Sequence, residues 1–214
     1  MTRGAATRER ILDAAEGLVV EHGFGSTTVD AVLTAAKSSK GAFFHHFASK
    51  ADLGIALVDR YAAADVETLE RLMGAAEAES DDPAQQLLTF LAAYEAMLDD
   101  LPGGQPGCLF VSFIYESDLG GPGTEEIVRR TILQWRERIL EKLAAAVSVR
   151  PGLPELDLPS LADQVFTVFE GGFLLARALQ DPTALRRQFS HLRQYIELLL
   201  ADPELRPPRS QTRS

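Results

Sequence analysis

The chain predicts an all-α fold of about nine helices, with a small N-terminal three-helix unit ahead of a larger helical domain. Three observations lead there. Alternating β-branched segments are absent, and Pro or Gly clusters punctuate long segments whose apolar residues recur every 3.6 positions. Residues 27 to 53, TTVDAVLTAAKSSKGAFFHHFASKADL, read as two short helices joined by three or four residues and followed by the start of a third. That is the spacing of a helix-turn-helix.

The elements follow in order. A first helix lies near 7 to 22 and stops at His22-Gly23, where the helix dipole accounts for a histidine. The second lies near 28 to 36, with Thr27 as the expected N-cap and Asp30 completing a capping box. Val29, Val32, Leu33 and Ala36 share its core face. Lys37-Ser38-Ser39 breaks the pattern, and Ser39 caps a third helix near 39 to 46. Ser49 with Asp52 repeats the box and opens a fourth helix from about 50 to 78. Asp81-Asp82-Pro83 starts the next, which ends before Pro102-Gly103-Gly104. Segments from Cys108 to Leu119, Glu125 to Val147, 160 to 179 and 184 to 201 complete the set, with a Pro-rich loop at 151 to 159. The expected division is a helix-turn-helix domain at 1–48, a second domain at 49–204, and a disordered tail at 205–214.

Charge is unevenly distributed. The formal net charge is −10, yet residues 1 to 60 hold seven basic and seven acidic side chains, so the whole excess lies beyond them. Between Asp30 and Asp52 the only charged residues are Lys37, Lys40 and Lys50, with His45 and His46 among them. A helix that enters the DNA major groove needs such an acid-free face, because phosphates repel carboxylates. The acidic remainder would stay off the phosphates. Lys40 is placed to read guanine or bind phosphate, and His45 and His46 to donate to base edges. Gly41 and Ala42 are small enough to let the backbone approach the groove. Phe43, Phe44 and Phe47 cannot all face DNA; Phe47 is expected in the core, with Phe43 and Phe44 left open. Thr27, Thr28, Ser39 and Lys50 are candidates for holding the backbone, Lys50 foremost as a phosphate contact, and Lys37 in the turn is a further DNA-binding candidate.

Together these features resemble the TetR family of bacterial transcriptional regulators. TRERILDAAEGLVVEHGFGSTTVDAV is similar to the family's first helix, its glycine stop and its second helix, and SKGAFFHHFASKADL to its recognition helix and the start of its long fourth helix. Two positions depart from the pattern: Lys37 stands where the turn often carries Gly, and Phe44 where the recognition helix often carries Tyr. The resemblance implies a dimeric regulator, a repressor released from a palindromic operator in double-stranded DNA by a small-molecule effector. It also implies a C-terminal ligand-binding and dimerisation domain, with the homodimer formed through the last two helices. Those helices are apolar over much of their circumference, and Gly171-Gly172 would let another helix approach closely, from within the subunit or from a partner.

For the effector the sequence offers Phe90, Tyr94, Met97, Phe113, Trp135, Phe166, Phe169 and Phe173 as apolar lining, with Tyr94 and Glu170 as polar anchors. Each aromatic taken singly reads more readily as plain core. Cys108, at a helix start, resembles cysteines of family members that respond to electrophiles or oxidants; the plainer reading is a small buried apolar residue.

Other classes find less support. No nucleophile triad, phosphate loop or metal-ligand spacing is present, and the four histidines (22, 45, 46, 191) are scattered, so neither an enzyme, a cofactor nor a metal is expected. Adjacent His45 and His46 diverge on a helix, which argues against a metal pair. One cysteine allows no internal disulfide, no apolar run approaches a membrane span, and no signal peptide is visible, so the expected place is the cytoplasm. The alternative is an all-α ligand-binding or protein-interaction module without sequence-specific DNA binding, which leaves the acid-free helix unexplained.

Overall fold

The computed structural model describes residues 3–98, 108–116, 123–153 and 155–201. Among them are nine helices and no strand: α1 (Arg3–His22), α2 (Val29–Ala35), α3 (Lys40–His46), α4 (Lys50–Glu79), α5 (Pro83–Leu98), α6 (Leu109–Tyr115), α7 (Thr124–Ser148), α8 (Leu158–Leu179) and α9 (Ala184–Leu200). The expected tail, the Pro102-Gly103-Gly104 turn and the stretch of the sixth helix past Glu116 lie outside the described residues. No helix among the described residues is long and apolar enough to cross a membrane.

Packing divides the chain into two compact units, Met1–Leu69 with Gln105–Gln134, and Glu70–Gly104 with Trp135–Ser214. In the first unit α1, α2, α3 and the start of α4 bury Ile11, Leu12, Phe24, Val32, Phe43 and Leu57. One cation fixes α4 on α1. Arg60 donates to Glu9 at 3.2 Å, Asp13 at 2.7 Å and Glu16 at 2.6 Å, three carboxylates that helical spacing places on one face of α1. The helix α6 joins this unit: its Phe113 lies 4.7 Å from the Phe24 ring.

In the second unit Tyr94 of α5 is the meeting point of four helices. Its ring lies 5.4 Å from Trp135 of α7, 5.5 Å from Phe169 of α8 and 5.3 Å from Phe189 of α9. Ion pairs set the rim: Arg136 grips Asp163 with two bonds of 2.6 and 2.8 Å, and Arg193 donates to Glu95 at 3.0 Å. Arg138 reaches Glu77 at 2.6 Å, and Lys142 reaches Gln86 at 2.9 Å and pairs with Glu77.

The two adjacent glycines of α8 have different surroundings. A Cβ on Gly172 would lie 2.5 Å from Leu185 Cδ1 and 3.0 Å from Leu185 Cα, so this glycine admits α9 within the subunit. A Cβ on Gly171 would meet nothing within 4 Å. Intramolecular packing therefore accounts for Gly172.

Candidate nucleic-acid interface

The recognition segment is set by its caps. Thr28, not Thr27, is the N-cap of α2, and its hydroxyl accepts the Ala31 N–H at 3.1 Å. Thr27 is buried and donates to the Gly23 carbonyl at 2.8 Å, so its hydroxyl is engaged within the turn rather than turned to solvent. After α2 the chain makes a Schellman turn: Lys37 N–H donates to Thr34 O at 3.2 Å and Ser38 N–H to Leu33 O at 2.9 Å. Lys37 occupies the left-handed position of that turn with φ 49°, the place where glycine has no steric cost. The side chain is tolerated because it is exposed; the backbone carries the strain. Ser39 then caps α3, accepting Ala42 N–H at 3.2 Å.

Helical phase decides what α3 presents. Phe43 and Phe47, one turn apart, are buried, at 0% and 3% exposure. Phe44 is 59% exposed, with its ring edge-on to Phe43 at 5.3 Å. Of the two phenylalanines left open, Phe43 therefore anchors the recognition helix in the core and Phe44 faces outward. The signal was present in the sequence, since a core Phe47 places the residue four before it on the same face. Lys40, Gly41, Phe44 and His45 are all exposed and form the outward face. Ala42 and His46 are half-buried flanks. The His45 and His46 rings stand 4.8 Å apart, and no group of metal-binding residues is present among the described residues.

Two cations differ from expectation. Lys40 Nζ lies 3.0 Å from Asp30 Oδ1, so a carboxylate of α2 reaches the acid-free helix. Both side chains are exposed, and such a pair holds by ~1 kcal/mol or less, which a phosphate can displace. Lys50 is turned inward. Its Nζ donates to Gly25 O at 3.1 Å and sits 4.6 Å over the Phe24 ring. Burial lowers its pKa, with nearby Glu116 acting in the opposite direction. In this conformation Lys50 is a bracket for the α1–α2 turn rather than an outstretched phosphate contact. Glu116, which no local pattern marked, is the other half of that bracket.

The effector candidates separate. Phe90, Tyr94, Trp135, Phe169 and Phe173 form one linked cluster, with Phe169 and Phe173 at 4.5 Å and Phe90 and Trp135 at 6.0 Å. Met97, Phe166 and Glu170 are half-buried on the same helices, α5 and α8. Phe113 stands apart from this cluster: it belongs to the first unit and is fully buried against Phe24. Cys108 is buried and stands just ahead of α6 in the same unit.

A capped α3 with an outward face of lysine, glycine, phenylalanine and histidine, carried on a three-helix core, defines a helix-turn-helix protein. Residues 11–57 match the model of bacterial regulatory proteins of the tetR family, and residues 83–192 that of the tetracyclin repressor-like C-terminal domain. The second match alone spans more than half of the 214 residues. The chain belongs to the TetR family. It is 32% identical over 112 residues to the HTH-type transcriptional repressor NemR of Escherichia coli (strain K12), an alignment covering 51% of this chain and 53% of NemR. The chain thus spans about half the length of that relative. An uncharacterized HTH-type regulator from the lacX 3′ region of Lactococcus lactis is 25% identical over 199 residues, 89% of this chain and 93% of the other. Among solved structures, a TetR transcriptional regulator from Chloroflexus aurantiacus J-10-FL superposes with TM-score 0.72 at 29% identity, covering 92% and 96% of the two chains.

Proposed function

We propose that the protein is a DNA-binding transcriptional repressor that acts as a dimer and leaves its operator when a small molecule binds. The observation that carries the first part is the outward face of α3, where Lys40, Gly41, Phe44 and His45 are exposed on a helix with no acid. Gly41 leaves room for a phosphate or base edge, while Lys40 and His45 supply donors that distinguish base pairs in the major groove. Thr28, Lys37 and Ser39 are exposed at the helix ends and hold the backbone beside them. NemR, which carries the repressor name, supports the sign of regulation.

The dimer reading rests on an apolar surface of the second unit. Leu174 and Leu179 of α8 are 69% and 64% exposed, and Leu198 of α9 is 71% exposed, with Tyr195 one turn before it. The opposite face of α9 is occupied by Leu185, Phe189, Leu192 and Ile196. A second apolar stripe on an already packed helix suits a two-fold contact with another copy, and a two-fold pair of recognition helices suits a palindromic operator. The Tyr94 cluster is the proposed effector site, lined by aromatic rings as small-molecule sites commonly are. A ligand there shifts DNA binding only through its differential affinity for two states of the protein.

The test is selection of genomic fragments by the purified protein, followed by fluorescence anisotropy of a recovered fragment against an unrelated duplex at several salt concentrations. A recovered palindrome bound preferentially and with a steep salt dependence is the expected result. Recovery of no common sequence overturns the reading in favour of a helical binding module. Leu198→Glu is expected to convert a dimer to a monomer in sedimentation; an unchanged dimer would move the interface elsewhere.

A further inference from the structure

The turn between α1 and α2 is held at both backbone groups of one residue, Gly25. Glu116, which follows the last residue of α6, accepts the Gly25 N–H at 2.7 Å across ninety-one positions of sequence. Lys50 at the start of α4 donates to the Gly25 carbonyl at 3.1 Å. Gly23, with φ 85°, makes room for the carboxylate: a Cβ there would stand 2.9 Å from Glu116 Oε1. Phe24 between these glycines packs on Phe113 of α6 at 4.7 Å, and Ser112 Oγ reaches Val19 O at 3.5 Å.

The route from that grip to the recognition helix is short. Thr27 is tied to Gly23, and Thr28 caps α2. The Schellman turn and the Ser39 cap then join α2 to α3 with little slack. Ring packing between Phe24 and Phe113 is largely non-directional, whereas a carboxylate on an amide is short, strong and directional. Resting on the DNA-binding reading above, we propose that Glu116 is a positioning residue for DNA recognition. Through Gly25 it sets the orientation of α2, and with α2 the outward face of α3. The end of α6 is in this sense part of the reading head, although it lies far downstream in sequence.

The test compares the full-length wild type with Glu116→Ala, Glu116→Gln and Ser112→Ala. The probes are the duplex selected by the wild type and an unrelated duplex, with active protein counted by stoichiometric titration. Glu116→Ala is expected to weaken the selected duplex about tenfold, ~1.4 kcal/mol, and the unrelated duplex less than about twofold. Glu116→Gln keeps an acceptor for Gly25 and should stay within about threefold of wild type, and Ser112→Ala within about twofold. Partial unfolding would scale both duplexes alike, so the ratio separates positioning from lost protein. An unchanged ratio in Glu116→Ala, or a Gln variant as impaired as the Ala variant, overturns the proposal. If Glu116→Ala does not fold, hydrogen exchange of the Gly25 amide in the wild type decides: protection is expected, and free exchange overturns it. A wild type that prefers no duplex sinks the DNA-binding reading itself, before any variant is compared.

Discussion

Gly171 and Gly172 allow a matched pair of substitutions with opposite expected signs. Both sit inside α8, where replacing glycine by alanine gains ~1 kcal/mol of helix propensity. At Gly171 nothing lies within 4 Å of the new methyl, so the gain stands alone. At Gly172 the methyl would meet Leu185 Cδ1 at 2.5 Å and Cα at 3.0 Å. The Cδ1 end can swing away, but the Cα moves only with α9. Overpacking of this kind costs about 1–3 kcal/mol, which equals or exceeds the propensity gain. Gly171→Ala should therefore raise stability by ~1 kcal/mol and Gly172→Ala should leave it unchanged or lower it by up to ~2 kcal/mol. For a chain of this size 1 kcal/mol moves the melting temperature by about 2–4 °C. Thermal and urea unfolding of the two variants at one protein concentration is the assay. A Gly172→Ala protein as stable as Gly171→Ala would refute the close approach of α9 to α8.

Other expectations follow from the same geometry. Lys37→Gly should raise stability by ~0.5–1 kcal/mol in urea titrations by relieving the left-handed backbone at φ 49°; a loss would deny the strain. Phe43→Ala should cost ~3–5 kcal/mol, and Phe44→Ala no more than ~0.5 kcal/mol while weakening operator binding. Equal stabilities would mean the helical phase of α3 is wrong. Glu77 has its pKa held below 4.5 by the Lys142 hydrogen bond first and by Arg138 as well, with desolvation opposing. A depressed folded pKa contributes stability that is fully present above the unfolded value and lost as pH falls through the folded one. Between pH 7 and 3, Glu77→Gln should therefore show a shallower acid loss of the urea midpoint than wild type; parallel profiles would remove Glu77 from the acid response.

Much of the N-terminal unit was legible because its causes are local. Caps lie within three residues of the amides they satisfy, so Ser39 and Ser49 mark helix starts where the structure has them. The second cap was displaced by one, because Thr27 and Thr28 are equally good caps and only the buried bond from Thr27 to Gly23 separates them. The rest depended on partners far along the chain. Lys50 at a helix start looks like a phosphate ligand until Gly25 and Phe24 are seen beneath it. Phe113 looks like pocket lining until Phe24 occupies it. Leu185 alone distinguishes Gly172 from Gly171, and no periodicity within α8 could assign that contact.

The claim that the outward face of α3 reads bases is tested most directly by anisotropy of wild type, Lys40→Ala and His45→Ala on the selected duplex and on single-base variants of it. A variant that loses a base contact should weaken the selected duplex by ~1–3 kcal/mol and lose discrimination at one or two positions, the same in each half-site. If both variants bind every duplex less tightly by one common factor, with all preferences intact, Lys40 and His45 touch only the backbone and the account of how this protein recognises DNA is wrong.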